Sequence, residues 1–182
     1  MSHLIPRIEF PEIVIGLVAP IGTPLGPTIT ALSDQFRSLG YDVRQIKVTD
    51  IYKMLAGYIK PKIPLVESPL VDRYRSYIAF GNQVREAMDD SSVLSALTVY
   101  RIVGTRLRGA KEDENKFSKT VYILDQFKRQ EEIDLLRAVY GRIFSKCPCT
   151  LGDRLVLIIC LGNLQKTQAI LTMIIFAQTP SA

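Results

Sequence analysis

The chain has 182 residues, 47% hydrophobic and 23% charged, which supports one domain with a real core, excludes two of ordinary size and argues against disorder. Its 23 Lys and Arg against 18 Asp and Glu give a net charge of +5, an excess that admits a polyanionic partner without demanding one. No apolar run reaches about 18 residues, which argues against a membrane span. The first ten residues lack the apolar core of a secretory signal, and three cysteines clustered late (Cys147, Cys149, Cys160) make no disulfide framework and suit a reducing cytoplasm.

In chain order, Glu12 to Ala19 (EIVIGLVA) is a nearly continuous apolar run, which predicts a strand buried on both faces of a parallel sheet. The loop Pro20-Ile21-Gly22-Thr23-Pro24-Leu25-Gly26-Pro27 follows. A helix then carries Ile29, Leu32, Phe36 and Leu39 on one face and stops at Gly40. Asp42 to Val48 alternates polar and apolar residues as a second strand does, completing a βαβ unit. From Ile51 to Pro69 the prolines at 61, 64 and 69 predict a short helix and then a loop of the kind that covers a site.

Two helices are predicted over Pro69 to Met88 and Ser91 to Arg108, with Asp or Ser of Asp89-Asp90-Ser91-Ser92 capping the second. Gly109 to Ser118 is charged and turn-like, and Thr120 to Asp125 (TVYILD) is a third strand. Gln130 to Tyr140 is a helix turning Ile133, Leu136 and Val139 or Tyr140 inward and stopping at Gly141. Such alternation predicts a three-layer α/β fold with a mainly parallel sheet and a helical insert. Residues 146–182 differ in kind, holding only four charged side chains (Lys146, Asp153, Arg154 and Lys166).

Four constellations bear on chemistry. The loop after Ala19 leaves the carboxyl end of a strand and leads into a helix, where backbone N–H groups and the helix dipole favour an anion. A full phosphate loop reads G-x-x-x-x-G-K-[ST]; here the chain reads Gly16-Leu-Val-Ala-Pro-Ile-Gly22-Thr23 with no lysine directly after Gly22, and the nearest lysine downstream is Lys47. Ala19, Ile21, Gly22 and Thr23 are therefore either a backbone anion site or a tight turn in which Gly and Pro serve geometry alone.

Gly81 stands mid-helix in Gly81-Asn82-Gln83-Val84-Arg85, marking close approach of backbone or ligand, and Arg85 is either a phosphate partner or a solvated arginine. Arg129, Glu131, Glu132 and Arg137 read as a solvated face, with Arg137 a candidate for the crevice. Finally, Cys147-Pro148-Cys149 with a lone His3 falls short of a zinc site, and neither H-x-E nor P-C-x-x-C occurs anywhere in the chain.

Five stretches, in this order and spacing, resemble the N-terminal domain of the anti-phage dCTP/dCMP (deoxycytidylate) deaminases. They are Glu12 to Thr23, Gly40-Tyr41-Asp42-Val43, Gly81-Asn82-x-x-Arg85, Thr120 to Leu124, and Glu131 to Gly141 with Phe144. The resemblance implies a P-loop-like, nucleotide-kinase-like fold over residues 11–145 and a nucleotide-responsive or assembly role. It implies a parent enzyme that converts dCTP or dCMP to dUTP or dUMP, with zinc confined to a deaminase domain absent from this chain.

Ala19 stands where the family tends to have Gly, and the resemblance ends at Phe144, so 146–182 is expected to be a divergent apolar tail, as from an out-of-frame terminus. The expectation is a non-catalytic nucleotide-binding or oligomerisation module, cytoplasmic and homo-oligomeric, with no cofactor of its own. Its site residues would be Gly16, Ala19, Ile21, Gly22, Thr23, Arg85 and Arg137, and its ligand of the dCTP/dCMP or ATP class. A small P-loop nucleotide or nucleoside kinase is the alternative, which the missing lysine disfavours. A regulatory RNA is a third partner class, requiring Lys and Arg to cluster on one face.

Overall fold

The computed structural model of the chain describes residues 11–109 and 119–148. The charged segment expected at 109–118 lies almost wholly outside them, as do His3, Cys149, Cys160 and the tail from 149 onward. In chain order the elements are β1 (Ile13–Val18), α1 (Gly26–Ser38), β2 (Asp42–Lys47), α2 (Asp50–Leu55), α3 (Leu70–Met88), α4 (Val93–Gly109), β3 (Thr120–Phe127), α5 (Gln130–Tyr140), a short 3-10 turn (Gly141–Ile143) and β4 (Phe144–Pro148). The four strands form one sheet in the order β2-β3-β1-β4, and every pairing is parallel. Among the described residues, no helix is long and apolar enough to cross a membrane.

Strand periodicity divides the core in two. Successive side chains of a strand point to opposite faces, so in β1 Val14 enters one cluster while Ile15 and Leu17 enter the other. β3 divides likewise, with Tyr122 and Leu124 on the first face and Val121 and Ile123 on the second. α1 covers the second face through Ile29, Leu32 and Phe36. The first face is covered from α2 to α5, by Tyr52, Phe80, Ile102 and Leu136 among others. The result is a three-layer α/β fold in which β1 and β3 have helices on both sides, which is why they read as unbroken apolar runs.

Two features differ from the sequence expectation. The segment between α2 and α3 does not cover a site but runs along α3. There Gln83 Nε2 donates to the Lys60 carbonyl and its Oε1 accepts from the Lys62 N–H, both at 2.9 Å, while Ser76 Oγ accepts from the Val66 N–H. Its prolines remove backbone donors, so the segment takes its pairings from α3 side chains. Also, β4 runs to Pro148, three residues beyond the expected boundary at 145, because Ser145 to Pro148 continue its parallel pairing with β1. Cys147 is buried there.

Candidate functional site

The connection after β1 goes to α1 on one face, and the connection after the neighbouring β3 goes to α5 on the other. Adjacent strands whose connections part in this way leave a crevice beyond their carboxyl ends, the usual ligand position in open α/β sheets. A crevice of about 240 Å³ opens here. Ile21 from the loop after β1, Val48 and Thr49 from the end of β2, and Gln126, Lys128 and Arg129 from the end of β3 line its base. Tyr74, Tyr77, Ile78, Asn82 and Arg85 of α3 form a wall, with Tyr52 of α2 and Glu132 of α5 beside them.

The crevice is graded along α3. At 1.5 Å per residue, Tyr74 and Tyr77 precede Arg85 by roughly 12–16 Å along the helix. One end is therefore aromatic, with Tyr52 and Tyr77 at 5.8 Å between ring centroids. Burial pushes the Tyr52 hydroxyl up to about 12, so it stays a neutral donor at ordinary pH. The other end is cationic. Arg85 Nη2 donates to Glu132 Oε1 at 2.6 Å, with the two side chains 12% and 2% exposed. Asn82 Oδ1 accepts from Arg85 at 3.3 Å and from Arg129 at 3.4 Å. Arg85 Nε is buried without a hydrogen-bond partner, an unusual state for a polar atom that costs on the order of 1–3 kcal/mol.

Glu132 also begins α5. Its other carboxylate oxygen accepts from the N–H groups of Lys128 (2.9 Å) and Arg129 (3.1 Å), satisfying donors that a helix start leaves open. Its backbone carbonyl accepts from Ser95 Oγ of α4 at 2.9 Å. The expected solvated face is thus corrected at Glu132, which is 1% exposed, and at Arg129, which is exposed but lines the crevice; Glu131 and Arg137 are exposed as that reading requires. Arg137 faces away from the crevice and pairs with Asp134 one turn earlier at 3.4 Å, because its position on α5 is outward.

Gly16 is likewise not at the crevice. It lies within β1, where an added Cβ would meet the Phe144 ring at 2.9 Å, so packing against β4 explains it. Ala19 is buried and presents its carbonyl, an acceptor, to Lys128 Nζ. Pro20 to Thr23 form a tight turn closed by Thr23 N–H to the Pro20 carbonyl at 3.3 Å, with Gly22 at φ +88°. That left-handed conformation is one a glycine adopts without strain. The Thr23 N–H is committed to the turn, which leaves Ile21 and Gly22 as the loop's candidate donors. α1 starts only at Gly26, capped by no side chain. Of the seven residues expected at a site, Ile21 and Arg85 line the crevice, Ala19 meets the crevice residue Lys128 through its carbonyl, Gly22 and Thr23 belong to the turn that carries Ile21, and Gly16 and Arg137 are elsewhere.

Sequence reasoning missed Lys128, Gln126 and the tyrosines. Lys128 Nζ donates to the Ala19 carbonyl at 2.6 Å across 109 residues of chain, and desolvation at this end of an otherwise exposed side chain lowers its pKa. Gln126 has φ +70°, and there the β1–β3 register shifts, since Gly16 pairs with Leu124 but Val18 with Phe127. A bulge of this kind re-aims the residues after it and is common beside functional sites. Asp125 precedes it, its pKa raised by burial, with Gln45 Nε2 donating to it at 3.4 Å. The available signal was position, since whatever follows the third strand of such a sheet reaches the crevice.

No family model and no curated protein matches the chain. Zinc does not suit these residues. Glu132 is already committed to Arg85 and two N–H groups, and the described residues hold no group of three or more His, Cys, Asp or Glu able to ligate a metal.

Proposed function

We propose that this domain is a nucleotide-binding module without a catalytic centre of its own, P-loop-like in plan and akin to the front domain of the anti-phage deoxycytidylate deaminases. The observation that carries this reading is the convergence of three cations (Arg85, Lys128, Arg129) and three tyrosines (Tyr52, Tyr74, Tyr77) in one crevice at the β1–β3 switch point. Cations at one end suit a phosphate, and aromatic walls at the other suit a base. The volume, about 240 Å³, lies just below the roughly 300–1,000 Å³ typical of ligand sites, which favours a mononucleotide over a dinucleotide. Phosphoryl transfer is less well supported, because no lysine follows Gly22. Deamination is unsupported, because the chain carries neither H-x-E nor P-C-x-x-C to activate a water.

Calorimetric titration with dCMP, dCTP and ATP tests this. Binding should be modest and salt-sensitive, because exposed helix-dipole and backbone contributions are worth only ~0.3–1 kcal/mol each. Gly22→Val should weaken it, since a β-branched residue resists the +88° φ that shapes the turn. Absence of heat with all three nucleotides would overturn the reading.

A further inference from the structure

The crevice presents cations of unequal availability. Arg85 is held by Glu132 and Asn82. Arg129 reaches Asn82 and Ser91 at 3.4 Å each. Lys128 is different: its ammonium rests on a neutral carbonyl, that of Ala19, at the root of the loop after β1. An ammonium has three donors and one full charge, and a single carbonyl uses one donor and neutralises none of the charge.

We infer that Lys128 is the group that meets the ligand's phosphate, reaching the β1–α1 loop from the end of β3 in place of the lysine that the loop lacks. This rests on the nucleotide reading above and names the residue on which phosphate recognition turns. Three observations converge on it. The loop carries no lysine of its own. The Lys128 side chain nevertheless brings an ammonium to that loop, 2.6 Å from Ala19 and within the crevice that Ile21 also lines. And the bulge at Gln126, held at φ +70°, displaces the register just ahead of Lys128, so the chain accepts a strained backbone where it re-aims this residue.

The nearby charges are Asp125 of β3 and Glu132 of α5, and Glu132 is taken by Arg85. A phosphate entering at Ile21 and Gly22 would add a counter-charge to that of Asp125, with Ala19 still able to accept one of the ammonium's donors.

The test compares wild type, Lys128→Met and Lys128→Arg by calorimetry with dCMP and dCTP, using deoxycytidine as the phosphate-free control and thermal melting to verify folding. Lys128 is exposed as a residue, so Lys128→Met should melt close to wild type. The Met variant should bind both nucleotides about tenfold to a hundredfold more weakly, the range for loss of one charged hydrogen bond. It should also show less salt dependence than wild type and the same response to deoxycytidine, and the Arg variant should recover most of the affinity. Nucleotide binding by Lys128→Met equal to wild type would overturn the inference and leave the nucleotide reading standing. A parallel loss of deoxycytidine and nucleotide binding would also overturn it, by making Lys128 a support of the crevice wall. Failure of wild type to bind either nucleotide would overturn the inference, and failure to bind ATP as well would overturn the nucleotide reading.

Discussion

Two buried arginine–glutamate pairs sit at opposite edges of the sheet, with α4 running between them. At the carboxyl edge Arg85 of α3 pairs with Glu132 of α5; at the amino edge Arg106 of α4 pairs with Glu12, just before β1. Arg106 approaches Glu12 with both Nε and Nη2 and lies over the Tyr140 ring, 5.8 Å from its centroid. α4 spans the distance between them, giving Ser95 to the Glu132 carbonyl near its start and Arg106 to Glu12 near its end. The amino-edge pair is two-pronged, stacked and away from the crevice, which is what fastening α4 to β1 requires. The carboxyl-edge pair opens on a crevice, shares Asn82 with a second arginine and leaves Arg85 Nε unpartnered. Similar chemistry thus serves closure at one edge and leaves capacity for a ligand at the other, and neighbouring groups make the difference.

The largest test removes one carboxylate at each edge. Glu132→Ala and Glu12→Ala should each lose about 3–5 kcal/mol, the cost of stranding a buried arginine, with Glu132→Ala the worse because α5 also loses its cap. Added dCMP should raise the melting temperature of Glu132→Ala by more than it raises wild type, since its phosphate can replace the missing carboxylate beside Arg85. It should raise Glu12→Ala by no more than wild type. Equal responses in the two variants would erase the functional distinction between the edges.

A smaller effect sharpens the contrast at two glycines chosen for space. Gly16→Ala would drive a Cβ into Phe144 at the start of β4, and Gly81→Ala would drive one into Tyr52 Oη. Each should cost about 1–3 kcal/mol as overpacking, part of it offset at helical position 81 by the ~1 kcal/mol that Ala gains over Gly. Only Gly81→Ala should also weaken nucleotide binding, because Tyr52 lines the crevice, and Tyr52→Phe in the same chain should relieve the stability loss. Weakened nucleotide binding by Gly16→Ala, measured by the same titration, would return that residue to the site.

The smallest effect is one of pH, at the outer support of the crevice. Glu67 accepts from Tyr77 Oη at 2.8 Å, Lys53 Nζ at 3.1 Å and Arg73 Nε at 3.1 Å. The Tyr77 hydroxyl, then the Lys53 and Arg73 cations, lower its pKa from 4.5 to about 2. A carboxylate depressed on folding contributes fully above its unfolded pKa and loses that contribution as pH falls through the folded one. The clip should therefore hold above pH 4.5 and loosen between there and about 2, seen as loss of NMR amide protection near residue 66 and shifts of the Tyr77 ring. A Glu67→Gln variant should abolish this transition and leave the amino edge unchanged.

The sequence by itself determined the layers. Unbroken apolar runs at 13–18 and 120–124 can be satisfied only by burial on both faces, and Gly40 and Gly141 stop α1 and α5 where their helical periodicity ends. It also marked Gly81 as a close approach, though to Tyr52 rather than to a ligand, and it pointed to the Asp and Ser of 89–92 ahead of α4, where Asp90 Oδ1 accepts from the Ser92 N–H and hydroxyl. Only the tertiary structure decided which side chains share the crevice. Lys128 and Ala19 stand 109 residues apart, and Arg85 and Glu132 stand 47 apart. Their meeting depends on β3 being inserted between β1 and β2 in the sheet, an order that no local pattern encodes. Periodicity reports which face of an element is buried, whereas the partner across that face follows from strand order and register, and at Gln126 from a single-residue shift in register.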